Sequence, residues 1–222
     1  MLQTNNLKND IKLFLFYYKK MVIITVDGNI GCGKTGVLNY LHKNYKYPID
    51  LEPVDNWQKH LNKIYNKENN DNSELSNIFN FQVRIWLDRC WIQNKIETNV
   101  ILVERSPNFI RNVFIKNAIN DKEITENESE ILDYLHKKTD YLWENNIYIY
   151  LQSSPESCLN RIKKRNRVSE DKITIEYLEK IHKLHEIHYK NMLNSKIHII
   201  NVENKTIQMI ANEVNDIVKN YI

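Results

Sequence analysis

All four glycines of this 222-residue chain, Gly28, Gly31, Gly33 and Gly36, fall within the nine residues GNIGCGKTG. Glycine is the residue of choice where the backbone must reach positive φ or let a ligand come close, so this chain concentrates that need in one place. The stretch fits G-x-x-x-x-G-K-[ST]. It follows the β-branched run VIITV (22–26) and opens a helical pattern over 34–45, which is the strand–loop–helix context the motif requires. Backbone N–H groups of such a loop and of the helix N-terminus surround phosphates, the lysine neutralises their charge, and the hydroxyl supplies an oxygen to Mg²⁺. Gly28, Asn29, Ile30, Gly31, Cys32, Gly33, Lys34 and Thr35 are therefore the expected phosphate-donor site.

The rest of the chain alternates in the manner of a parallel sheet covered by helices. Short apolar runs at 22–26, 99–104, 147–152 and 196–202 read as buried strands, with a weaker one before Glu52. Helical patterns lie at 34–45, 74–96, 108–118, 125–144, 155–166, 173–192 and 205–220. Pro48, Pro53, Pro107 and Pro155 all stand at boundaries, where proline is tolerated. The expected class is α/β, in one domain over 21–222, with 1–20 as a loosely ordered extension. The run IKLFLFYY within that extension is too short to span a bilayer and lacks a small-residue cleavage site. NKENNDNSE (66–74) reads as a loop.

Net charge is only +3, from 31 basic and 28 acidic residues, which argues against nucleic acid as a partner. Cys32, Cys90 and Cys158 show no metal-ligand spacing and suit free thiols in a reducing, cytoplasmic setting.

Four further motifs stand at predicted strand ends or on helices. LEPVDNW carries Glu52, a carboxylate able to take a proton from an attacking hydroxyl, though a surface acid would look the same. NFQVRIWLDR carries Phe81 and Gln82; an amide with both donor and acceptor matches a nucleobase edge. VERSP places Glu104 and Arg105 at the carboxyl end of an apolar strand, where ligands of open α/β sheets bind. RIKKRNR places Arg161, Arg165 and Arg167 as a lid over a transferring phosphate, or as a solvated basic helix.

Taken in order, GNIGCGKT, EPVxxW, FQ, ERSPxxxRxVF, RIxxRxR and YLEKIHxLHE resemble the deoxynucleoside kinase family, from about Val22 to His188. The resemblance implies a five-stranded parallel sheet with helices on both faces, a homodimer, ATP as donor with Mg²⁺, and a deoxynucleoside as acceptor. It implies Glu52 as general base, Arg105 at the same end of the sugar, and Glu104 placing Mg²⁺ with Thr35. Gln82 would pair with the base, Trp57 and Phe81 would line the pocket, and Phe114 would stack on the base. Tyr65 and Glu170 would bind the 3′-hydroxyl. Members preferring deoxycytidine or purines carry an arginine seven residues after the glutamine and an aspartate six after the ERS glutamate; here these positions hold Arg89 and Ile110. With Ile85 narrowing the pocket, thymidine is the expected acceptor.

Two alternatives stay open. A deoxynucleoside monophosphate kinase would need positive charge where Glu52 stands, and a non-catalytic nucleotide-binding subunit would tolerate loss of Glu52 or Arg105. Trp86, Trp91 and Trp143 are assigned to core or interface. The Asn, Lys and Ile bias is what an AT-rich genome, such as that of a large DNA virus, would produce.

Overall fold

The computed structural model describes residues 21–65, 77–90, 99–143, 146–192 and 197–222. Five strands, β1 (Val22–Asp27), β2 (Ile49–Asp50), β3 (Val100–Glu104), β4 (Asn146–Gln152) and β5 (Ile197–Asn201), form one parallel sheet in the order β2-β3-β1-β4-β5. The expected weak strand before Glu52 is the two-residue β2 at the sheet edge. The expected extension over 1–20 lies outside the described residues, as do the loop at 66–74 and Trp91.

Alternation along the strands divides the core between two faces. Ile24 and Val26 of β1, with Ile147, Ile149 and Leu151 of β4, pack against α1 (Lys34–Tyr45) and the C-terminal helix Ile207–Val218. On the opposite face, Ile23 packs with Ile101, Val103, Leu142 and Trp143. Tyr148 and Tyr150 of β4 meet Phe109, Ile181 and Tyr189 there. Asp27, the last residue of β1, has the parity of Ile23 and is fully buried. Trp86 and Trp143 are buried within the chain.

Sequence and structure differ at two elements. Residues Val54–Tyr65 form a strongly amphipathic helix, α2, where no helix is expected from the sequence. Pro53, read as a fixed turn, stands directly before it, and Asp55 lies in its first turn as a helix start favours. α3 (Asn77–Cys90) follows. The expected helix over 108–118 is a continuous rod, α4, whose middle is π-helical: Pro107–Phe109, then the wide turns of Ile110–Ile115, then Lys116–Asn120. Its wide turns shift which residues share a face, and such segments concentrate at functional sites.

α5 (Glu126–Thr139) begins with a capping box between Thr125 and Glu128. α6 (Pro155–Arg165), α7 (Ile175–Asn191) and α8 (Ile207–Val218) are capped by Ser154, Thr174 and Thr206. α1 starts at Gly33 with no side-chain cap, which leaves its first-turn N–H groups for an anion.

Candidate active site

A cavity of about 500 Å³ opens at the carboxyl ends of β1, β2 and β3, the edge where open α/β sheets bind ligands. One end is the glycine loop, contributing Ile30, Gly31, Gly33, Lys34 and Thr35; the other is apolar and built on α2, α3 and α4.

The loop conformation requires glycine at Gly28 and Gly31, with φ of 145° and 82°. A Cβ would meet the Leu151 carbonyl oxygen at 2.6 Å from Gly28, and the Cys158 carbonyl oxygen at 2.6 Å from Gly31. Lys34 is buried and donates from Nζ to the carbonyl oxygens of Gly28 and Asn29, both at 3.0 Å. Asn29 and Cys32 do not line the cavity. Asn29 braces the loop, its Nδ2 donating to the Leu178 carbonyl at 2.9 Å while its Oδ1 accepts from the Ile30 N–H at 2.8 Å. Cys32 is buried beneath it.

β3 delivers Glu104 and Arg105 beside this loop, because Val26 of β1 is in register with Glu104. Thr35 Oγ1 donates to Glu104 Oε1 at 2.8 Å, and the Glu52 N–H approaches Glu104 Oε2 at 3.4 Å. Burial, and next the nearby Glu52 carboxylate, push the Glu104 carboxyl above its ordinary value. A hydroxyl and a carboxylate are the sparse, hard oxygen donors that suit Mg²⁺, which otherwise keeps waters and substrate phosphates. Nearby positive charge would offset the cost of keeping Glu104 ionised. Thr35 and Glu104 therefore fit that ion.

Arg105 has a left-handed backbone, φ 60°, a conformation costing about 1–2 kcal/mol outside glycine. Its Nη1 donates to Glu52 Oε1 at 2.7 Å and Oε2 at 2.9 Å, and its Nη2 to the Gly28 carbonyl at 3.3 Å. Burial disfavours its charge, but Glu52, Asp27 and Glu104 outweigh burial and raise its pKa. Phe114, expected to stack on the base, lines the cavity and lies under the Arg105 guanidinium at 4.4 Å.

Trp57, Phe81, Ile85 and Ile110 are buried walls of the apolar end. Trp57 meets Phe81 edge-on at 5.9 Å and donates from Nε1 to Asp88 at 2.7 Å. Gln82 lines the same end, and its buried Oε1 has no hydrogen-bond partner. A buried amide oxygen left unpaired is costly, and this one is at the cavity wall.

Arg161, Arg165, Arg167 and Glu170 complete the lining. Glu170 accepts from Arg165 at 3.0 Å (Nε) and 2.5 Å (Nη2), and from Arg167 at 3.2 Å. The residue expected at the sugar thus also anchors the arginine segment. Arg161 reaches away from these two and donates to Ser153 Oγ at 2.8 Å.

Arg89 is the correction. It is 1% exposed and is not part of the cavity wall. Its guanidinium donates to the carbonyl oxygens of Leu51, Asp50 and Glu104 and pairs with the Asp50 carboxylate at 3.3 Å. It fastens the ends of β2 and β3 together, behind Glu52 and Glu104. The Tyr65 side chain lies outside the described residues.

Asp27 and His185 were not recognised from sequence. Asp27 lies beneath Arg105, with Oδ1 3.7 Å from Arg105 Nε, 2.6 Å from the Gly28 N–H and 3.5 Å from His185 Nε2. The available signals were a carboxylate ending an apolar strand immediately before the glycine loop, and the second histidine of YLEKIHKLHE.

A family model for deoxynucleoside kinases matches residues 24–221. The chain belongs to the deoxynucleoside kinase family. This kinase is 29% identical over 202 residues to a protein of Invertebrate iridescent virus 6 that carries the name of a kinase, covering 91% of this chain and 99% of that one. It is 30% identical to human deoxycytidine kinase over 195 residues, 73% of each chain. Identity to human mitochondrial thymidine kinase 2 is also 30%, over 177 residues, spanning 76% of this kinase and 64% of that protein. Among the described residues no helix is long and apolar enough to cross a membrane.

Proposed function

We propose that this kinase transfers the γ-phosphoryl group of ATP to the 5′-hydroxyl of a deoxynucleoside in nucleotide salvage, with pyrimidines favoured and thymidine first. The observation that carries this reading is Glu52, held on both oxygens by Arg105 between the phosphate loop and the apolar end that carries Gln82. Glu52 takes the hydroxyl proton as O5′ bonds to the γ-phosphorus, and the bond from that phosphorus to its bridging oxygen breaks, releasing ADP. Lys34 and the arginines of the cavity wall balance the phosphate charge. Bound Mg²⁺, held by Thr35 and Glu104, supplies further neutralisation of the phosphoryl oxygens.

For the base, Gln82 offers a donor and an acceptor to a pyrimidine edge. Ile110, 2% exposed, presents apolar surface suited to a 5-methyl group, and Arg89 is committed to backbone carbonyls. This lining favours thymidine over deoxycytidine, whose exocyclic amine gains no carboxylate partner. Leu87 of α3 and Ile131 and Tyr134 of α5 are exposed apolar residues on the adjacent helices, consistent with a homodimer formed there.

Parallel assays of the four natural deoxynucleosides with ATP and Mg²⁺ test the reading. Thymidine is expected first, and Glu52→Gln is expected to lower kcat roughly 10²–10⁴-fold. A purine deoxynucleoside used best overturns the base assignment; phosphorylation of monophosphates alone overturns the acceptor; unchanged turnover in Glu52→Gln overturns the general base.

A further inference from the structure

The motif YLEKIHKLHE lies outside the chemistry described above, yet α7 carries its histidine to the floor of the active site. His185 is fully buried. Its ring is sandwiched between Tyr150, 5.7 Å away with planes 6° apart, and Phe109, 5.9 Å away with planes 20° apart. Nδ1 faces the Ile181 carbonyl oxygen at 2.8 Å and Nε2 faces Asp27 Oδ1 at 3.5 Å. The next residue, Glu186, accepts from Tyr150 Oη at 2.9 Å and Gln152 Nε2 at 2.8 Å, so the helix that holds His185 is itself fixed to β4.

Asp27 is the hinge of this arrangement. It has no exposed surface, and three groups converge on its Oδ1: the Gly28 N–H, Arg105 Nε and His185 Nε2. Arg105 is thereby gripped on opposite edges, by Asp27 at Nε and by Glu52 at Nη1. Two carboxylates compete for one guanidinium, and the balance sets where Arg105 sits while Glu52 receives its proton. A backbone in the left-handed region gives Arg105 no preference of its own for this pose, so the pose depends on its partners.

We infer that His185 and Asp27 are a buried positioning pair: His185 fixes the Asp27 carboxylate, and Asp27 holds the inner edge of Arg105 so that the outer edge meets Glu52 and the reacting 5′-oxygen. Neither residue touches substrate; both act through Arg105. The inference rests on the role of Arg105 in the proposed reaction.

A double-mutant cycle tests it. His185→Phe keeps an aromatic ring between Tyr150 and Phe109 and removes the nitrogen facing Asp27; His185→Gln keeps a polar donor that can meet Asp27. His185→Phe is expected to lower kcat about tenfold with the nucleoside KM nearly unchanged, and His185→Gln to recover most of that loss. In an Arg105→Ala background the His185→Phe effect should shrink to within about twofold, because the residue it acts through is gone. Asp27→Asn gives a second limb of the cycle, and the His185 limb decides the matter alone should that variant not fold. Melting curves on every variant show whether kcat falls without global destabilisation, which a purely structural role would not produce. Wild-type kcat in His185→Phe, or the same fold-loss with and without Arg105, overturns the inference while leaving the proposed reaction standing. If Arg105→Ala alone retains full kcat, the proposed role of Arg105 falls and this inference with it.

Discussion

Gly36 is the glycine of the cluster whose conservation in the loop conformation is not required by the backbone, and replacing it by alanine should separate it from Gly31. It lies in the first turn of α1, outside the positive-φ glycines. A Cβ there would meet the Cδ1 end of the Ile207 side chain at 3.2 Å, a flexible atom able to shift by a few tenths of an ångström. Removing the glycine entropy penalty in a helix is worth roughly 0.5–1 kcal/mol, partly offset by that adjustment. At Gly31, φ is 82°, and the added Cβ meets backbone, the Cys158 carbonyl oxygen at 2.6 Å, as well as Ile162 Cγ1 at 2.9 Å. The left-handed conformation costs about 1–2 kcal/mol, and forcing the contact adds about 1–3 kcal/mol. For a chain of this size each kcal/mol moves the melting temperature by about 2–4 °C. Gly36→Ala should therefore melt within a few degrees of wild type, and Gly31→Ala about 4–20 °C lower. Differential scanning calorimetry on both variants, with the KM for ATP measured alongside, makes the comparison. Equal destabilisation by the two, or a Gly36→Ala protein that has lost ATP use while melting normally, would refute the assignment of Gly36 to packing against α8.

Glu170→Gln keeps the size of the anchor but removes the charge that gathers Arg165 and Arg167; with both arginines partly exposed, the KM for ATP should rise about fivefold or less, and an unchanged value would show that the arginine segment is held by other contacts. Burial pushes His188 down to about 4, with Asp27 opposing and His185 and His136 adding to the shift. Its stabilising contribution is complete above the ordinary imidazole value of 6.5 and is lost as pH falls through about 4. His188→Phe, which keeps the edge-on ring contact with Phe109, should flatten the fall in melting temperature across that window; identical pH profiles for the two proteins would exclude His188 as a contributor.

Much of the architecture was legible because it is written in local patterns. Apolar β-branched runs marked the strands, prolines marked boundaries, and the glycine cluster with Lys34 and Thr35 marked the phosphate end. The motif residues Glu52, Phe81, Gln82, Glu104, Arg105, Ile110, Phe114 and Glu170 do converge on one cavity, since their positions at strand ends and on helices α3 and α4 follow from those patterns. Helix α2 was missed because Pro53 and a polar start read as a turn, while its amphipathic face has meaning only against Phe81 and its neighbours. The π-helical stretch breaks the period that sequence reading assumes.

What only the tertiary structure decided is the partnering of charges across long sequence separations. Nothing local says that Arg89 turns away from the cavity to three backbone carbonyls, that Glu170 gathers two arginines, or that His185 comes to lie against Asp27, 158 residues earlier in the chain. A charged side chain reads the same in sequence whether it faces water, substrate or a buried counter-ion. Burial makes an unpaired charge expensive, and which partner relieves that cost is settled only when strand order and helix packing bring the candidates within a few ångströms.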